Sequence, residues 1–201
     1  MGGFFKDNIM TLNEYITSNI LSTQEKDTLS FRLYAFLSKV FAPSFAEELY
    51  DIFKEVEITE KNRKDDVIAM TYSIPKKKIV LNTHAFYALP TNEQMAFLAH
   101  ELIHMAVNKG NTKAKLLNRA LWKFYNKHKN TVADISSIMV GKPKVSKRWV
   151  NKNETFPYLM TEPIRWQYLE PGCKDELLEI LEKSKLFKLS DPFWKKQLNL
   201  T

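Results

Sequence analysis

Histidine is scarce in this chain, four among 201 residues, and two of the four stand in the run His100-Glu101-Leu102-Ile103-His104. On a helix, residues four apart lie one turn above each other, so both imidazoles face the same way. Two neutral imidazoles on one face fill two corners of a tetrahedral Zn²⁺ site. Glu101, one step round the helix, then stands beside the metal rather than on it. There it can take a proton from a water that attacks a carbonyl. The plainer reading is a histidine pair buried in a core and satisfied by hydrogen bonds. That would be a costly core, because each imidazole and the carboxylate needs a partner.

The elements around the run must present it. Thr91 and Gln94 form a T-x-x-Q capping box that predicts a helix start, and Gly110 predicts its stop. Met95, Leu98, Leu102 and Met105 recur at helical steps and predict an apolar face beside the histidines. Upstream, Val67–Tyr72 and Lys78–Asn82 read as strands joined through Ile74-Pro75-Lys76, after a charged, turn-like stretch at 57–66. Three helices are expected before that, opened by the pairs Thr11/Glu14, Ser22/Glu25 and Ser44/Glu47. Their apolar stripes carry no cluster of ligands or nucleophiles, so they read as a packing layer, with a removable inhibitory segment as the alternative. Downstream, helices are predicted over Thr112–Asn126, Thr131–Val140 and Asp175–Leu186, with a basic loop at 142–152. A last helix is entered through Asp191-Pro192.

At 44% hydrophobic and 12% aromatic residues, the chain can bury a substantial core. The division expected is a helical N-terminal subdomain over 1–60 and a catalytic unit over 61–201, packed as one compact body. A single cysteine, Cys173, excludes an intramolecular disulfide and suits a reducing compartment. Neither a secretory leader nor a membrane-spanning apolar stretch is evident, and a cytoplasmic location is expected. The net charge of +7 is spread over many segments. Such a spread predicts solvated helix faces, with acidic partners, nucleic acid among them, as the alternative.

The HExxH run, with a hairpin ahead of it, resembles the zincin metallopeptidases over about residues 67–165. The resemblance implies an α+β fold, mostly helical, with a small β-hairpin or sheet before the HExxH helix. It also implies a zinc-dependent metalloendopeptidase acting on a protein or peptide substrate, which an edge strand would hold by β-augmentation. A catalytic zinc needs a third protein ligand. The zincin pattern with a third His fails, because no His follows His104 until His128. The gluzincin pattern takes a Glu from downstream, and Asn153-Glu154-Thr155-Phe156-Pro157-Tyr158 looks like that segment. Glu154 is thus the expected third ligand, with Glu162 as the alternative and Asp134 and His128 behind them. Glu154 also has an ordinary reading, a carboxylate at a helix N-terminus. Tyr158, four residues on, is the expected oxyanion donor, its other reading being a packed aromatic. Cys173 could hold zinc in a latent state, as some zincin pro-segments do.

Two rival readings remain open on the sequence. One is a DNA-associated, SprT-like protease, which the basic balance suggests. Against it, the further His of that group is absent, and one cysteine cannot build a zinc ribbon. The other is a non-catalytic, zinc-containing interaction domain, for which Glu101 would be superfluous.

Overall fold

Between Thr23 and Val40 the chain holds no glycine or proline, and Leu29, Leu33, Phe36, Leu37 and Val40 recur at helical steps. This stretch is helix α1 (Thr23–Val40), with all five side chains buried. The computed structural model describes residues 19–20, 23–62, 70–73, 77–140, 152–161 and 171–198. The expected helix at Thr11 and Glu14, the Ser22 cap and the loop over 142–151 lie outside them. Helix α2 (Pro43–Lys54) buries Phe45, Leu49, Ile52 and Phe53. Its start corrects the expected Ser44 cap: Ala42 is the N-cap, without a side-chain bond, and Pro43 opens the helix. Proline suits that position because its φ is already helical and its missing N–H would have been unpaired.

The stretch expected to be turn-like holds a strand, β2 (Glu57–Lys61). Three of its five residues are charged, which hid it; what makes it a strand is pairing in the sheet, with Ile58 and Thr59 buried. It runs parallel to β4 (Lys78–Asn82), Ile58 opposite Ile79. The two-residue β1 (Asn19–Ile20) lies antiparallel on its other side. The expected hairpin forms between β3 (Met70–Ser73) and β4, with Met70 opposite Leu81 and Ser73 opposite Lys78. The sheet order is β1-β2-β4-β3, so β3 ends the sheet on the side away from β1.

From β4 the chain passes through the short α3 (Thr83–Phe86) into α4 (Thr91–Lys109), which carries the histidine run. The capping box does not form. The N-cap is Pro90, whose carbonyl accepts the Glu93 and Gln94 N–H groups, while the Gln94 side-chain amide donates back to the Leu89 carbonyl at 2.8 Å. At the other end Gly110 takes φ 105°, the left-handed conformation that only glycine adopts cheaply, and α4 stops there as expected.

Helix α5 (Thr112–Val140) runs unbroken where two helices were expected, because residues 127–130 contain neither glycine nor proline. Asn111 caps it, accepting the Ala114 N–H at 2.7 Å. A single turn, α6 (Tyr158–Thr161), precedes α7 (Pro171–Ser184), which starts four residues ahead of the expected Asp175. The final α8 (Pro192–Leu198) begins as its sequence predicts, with Asp191 accepting the Phe193 N–H at 2.9 Å. The result is a mostly helical α+β fold with a small sheet before the motif helix. Helix α4 is its centre, touching α1, α2, α5, α6 and β3. Met95, Leu98, Leu102 and Met105 enter the continuous apolar core on its inner side. Among the described residues, no helix is long and apolar enough to cross a membrane.

Candidate metal centre

Helix α4 turns its two histidines toward the segment 152–161, and Glu154 meets them there. His104 Nε2 lies 3.3 Å from His100 Nε2 and 3.1 Å from Glu154 Oε2, and His100 Nε2 lies 3.4 Å from the same oxygen. Three donor atoms therefore form a nearly equilateral triangle. For zinc bonds of about 2.0–2.1 Å, the edge of a tetrahedron is about 3.3 Å, so the donor set fits that ion in type and in spacing. Among the described residues, these three are the group of His, Cys, Asp or Glu whose ligand atoms converge in this way.

Burial holds His100 below the usual imidazole range, against the hydrogen bond to Glu154, so its ring is neutral at physiological pH. Its Nδ1 lies 3.0 Å from the Thr161 hydroxyl, and the ring also bonds the Pro157 carbonyl. A neutral imidazole carries one proton, so it donates either from Nδ1 toward Thr161 or from Nε2 toward Glu154, not both. With the proton on Nδ1, Nε2 offers a lone pair, the form in which an imidazole binds a metal. Burial works to raise the Glu154 carboxyl; the hydrogen bonds from His100 and His104 outweigh it and hold the group down at about 2. Glu154 is therefore ionised.

Glu101 stays out of the triangle, as its place on the helix requires. Burial pushes its carboxyl up to about 7; the charge of His104 lowers it and that of Glu154 raises it. It stands close enough to both to sense their charges while bonding neither imidazole. Tyr158 is buried, with its ring centroid 5.5 Å from that of His100 at 63°. One backbone bond brings this about: the Tyr158 N–H donates to the Glu154 carbonyl at 3.0 Å, closing one turn that sets both side chains against α4.

Two buried amides fix this segment. Asn118, on α5, donates to the Lys152 carbonyl at 2.7 Å and accepts the Phe156 N–H at 3.1 Å, bracketing Glu154. Gln197, on α8, donates to the Leu159 and Met160 carbonyls at 3.2 and 3.0 Å. Sequence reasoning missed Asn118, Gln197 and Thr161. The one signal was polar side chains on otherwise apolar faces, which does not say what they bind. Thr161 also lines a cavity of about 810 Å³ walled by Phe36, Phe97, Met160 and Phe193.

The other sequence candidates separate from this site. Glu162 and the side chain of Asp134 lie outside the described residues. His128, expected at the surface, is only 16% exposed in its side chain and is held between Glu176 and Cys173. Cys173 is accordingly not part of the converging group. Comparison of the chain with protein-family models, with curated proteins and with solved structures finds no match.

Proposed function

We propose that the chain is a zinc-dependent metalloendopeptidase of gluzincin type, hydrolysing peptide bonds in a protein substrate. The observation that carries this reading is the arrival of the Glu154 carboxylate, 50 residues beyond His104, at hydrogen-bond distance from both imidazoles while Glu101 flanks them. His100, His104 and Glu154 would hold the zinc ion. Zinc bound by three protein groups acidifies water toward neutrality and polarises a carbonyl. Glu101, whose carboxyl titrates near neutrality, takes the proton of the attacking water and returns it to the leaving amine. The Tyr158 phenol, on the turn that carries Glu154, donates to the oxyanion. Strand β3, antiparallel at the end of the sheet and packed on α4, is the edge we assign to an extended substrate chain.

An intact base beside the donor triangle favours catalysis over a purely structural zinc. The test is one preparation measured two ways. Metal analysis of the wild type and of Glu101→Gln is expected to give one zinc per chain in both. Only the wild type should cleave an unfolded protein such as casein, and the variant should lose at least a hundredfold in rate (about 10²–10⁴ for a general base). Undiminished cleavage by a clean Glu101→Gln preparation would overturn the proposal.

A further inference from the structure

We propose that Cys173 is a base-activated thiol, open to covalent modification by small electrophiles and in particular by hydroperoxides, with His128 as its base and Glu176 positioning that base. The three side chains meet where α5 packs against α7. Cys173 Sγ lies 3.1 Å from His128 Nδ1, and His128 Nε2 lies 3.0 Å from Glu176 Oε2. The imidazole thus bridges the other two through its two different nitrogens. A chelating site would aim all three donors at one point; this line of groups is built to pass a proton.

The direction of that transfer follows from what each group can donate. Lys127 donates to the same Glu176 oxygen at 2.7 Å, and its bond, followed by that of His128, keeps the carboxyl below the usual range. An ionised carboxylate only accepts, so Nε2 carries the ring proton and Nδ1 offers its lone pair to the thiol. The Phe124 ring, 4.7 Å away centroid to centroid, packs on the imidazole and limits its rotation. Cys173 is also the third residue of the 14-residue α7, where first-turn N–H groups favour a negative sulfur. Access is narrow: Cys173 is 9% exposed, while the Glu176 side chain beside it is 33% exposed. Only a small reagent fits.

The chemistry balances. The thiol proton moves to His128 Nδ1, and the thiolate attacks one peroxide oxygen. A sulfur–oxygen bond forms as the oxygen–oxygen bond breaks. The departing hydroxide or alkoxide takes the proton from His128 and leaves as water or alcohol. Sulfur loses two electrons and becomes a sulfenic acid, and the peroxide is reduced by the same two.

Because the chain has one cysteine, every thiol readout reports this position. The experiment follows intact mass at pH 7 during reaction with iodoacetamide, and separately with hydrogen peroxide plus a sulfenic-acid trap. The native, zinc-loaded chain is compared with the same chain unfolded in urea and chelator. An ordinary thiol is only a few per cent ionised at that pH, and part of any gain is lost to lower nucleophilicity, so the native protein should react roughly tenfold faster. His128→Asn should bring the native rate to that of the unfolded chain or below, and Glu176→Gln should slow it several-fold. Alkylation should leave the zinc content unchanged. A native rate at or below the unfolded rate overturns the proposal without any variant. So does a native excess that survives His128→Asn, or zinc released on alkylation.

Discussion

Glu101 carries the sharpest consequence at the scale of single residues, because its carboxyl is raised by burial to about 7 while an unfolded chain titrates near 4.5. Between these values the folded state binds more protons than the unfolded one, so this group's contribution to stability falls as pH rises through the window and is lowest above it. In chelator-treated protein, Glu101→Gln replaces a buried carboxyl by its uncharged isostere. The variant should come close to the wild type near pH 4.5 and exceed it by about 3 kcal/mol at pH 8. Urea titrations at the two pH values measure this; equal midpoints at pH 8 would mean that the carboxylate is not desolvated. Thr161 gives a second residue-scale expectation. Its hydroxyl holds His100 Nδ1 at 3.0 Å, and loss of such a partner typically weakens metal affinity 10–100-fold. Thr161→Val should therefore raise the zinc dissociation constant by about that factor in a competition titration with a chelating dye, leaving the circular dichroism spectrum unchanged.

At the scale of elements, the site is one long helix facing one short, clamped segment. Asn118 makes the clamp, and both of its bonds go to backbone on either side of Glu154. Asn118→Ala leaves the buried Phe156 N–H without that partner and releases the Lys152 carbonyl, a loss of about 1–3 kcal/mol. The expected outcome is a lower denaturation midpoint together with weaker zinc binding, since Glu154 loses its anchor. A drop in stability with unchanged zinc affinity would show that Glu154 is held some other way. The same elements show what the sequence disclosed. The helix around the histidines was legible because its apolar period and Gly110 act locally. Glu154 was legible as a candidate because a catalytic zinc requires a third donor. Strand β2 was not: Glu57, Glu60 and Lys61 give it a polar pattern, and its place comes from β4 alongside. The capping pairs at Ser44 and Thr91 misled because Pro43 and Pro90 take over the helix starts. Thr161 and Asn118 bind partners 61, 38 and 34 residues away, and nothing local announces such bonds.

For the whole molecule, the donor triangle is a cross-link between α4 and residues 152–161, which reach each other only through the fold. Zinc that binds this assembled site and not the open chain adds RT ln(1 + [Zn²⁺]/Kd) to stability, about 2.7 kcal/mol at a hundredfold excess over Kd. For a chain of this size that corresponds to a rise in Tm of roughly 5–10 °C. Glu154→Ala removes one corner and should cut most of the rise, because the remaining histidines sit a turn apart on one helix that needs no metal to form. Glu101→Gln, outside the triangle, should keep the full rise while losing hydrolysis. Thermal melts with zinc and with chelator on these three proteins therefore separate ligand from base without an activity assay. An equal zinc-induced shift in Glu154→Ala and wild type would remove Glu154 from the ligand set, and with it the gluzincin reading.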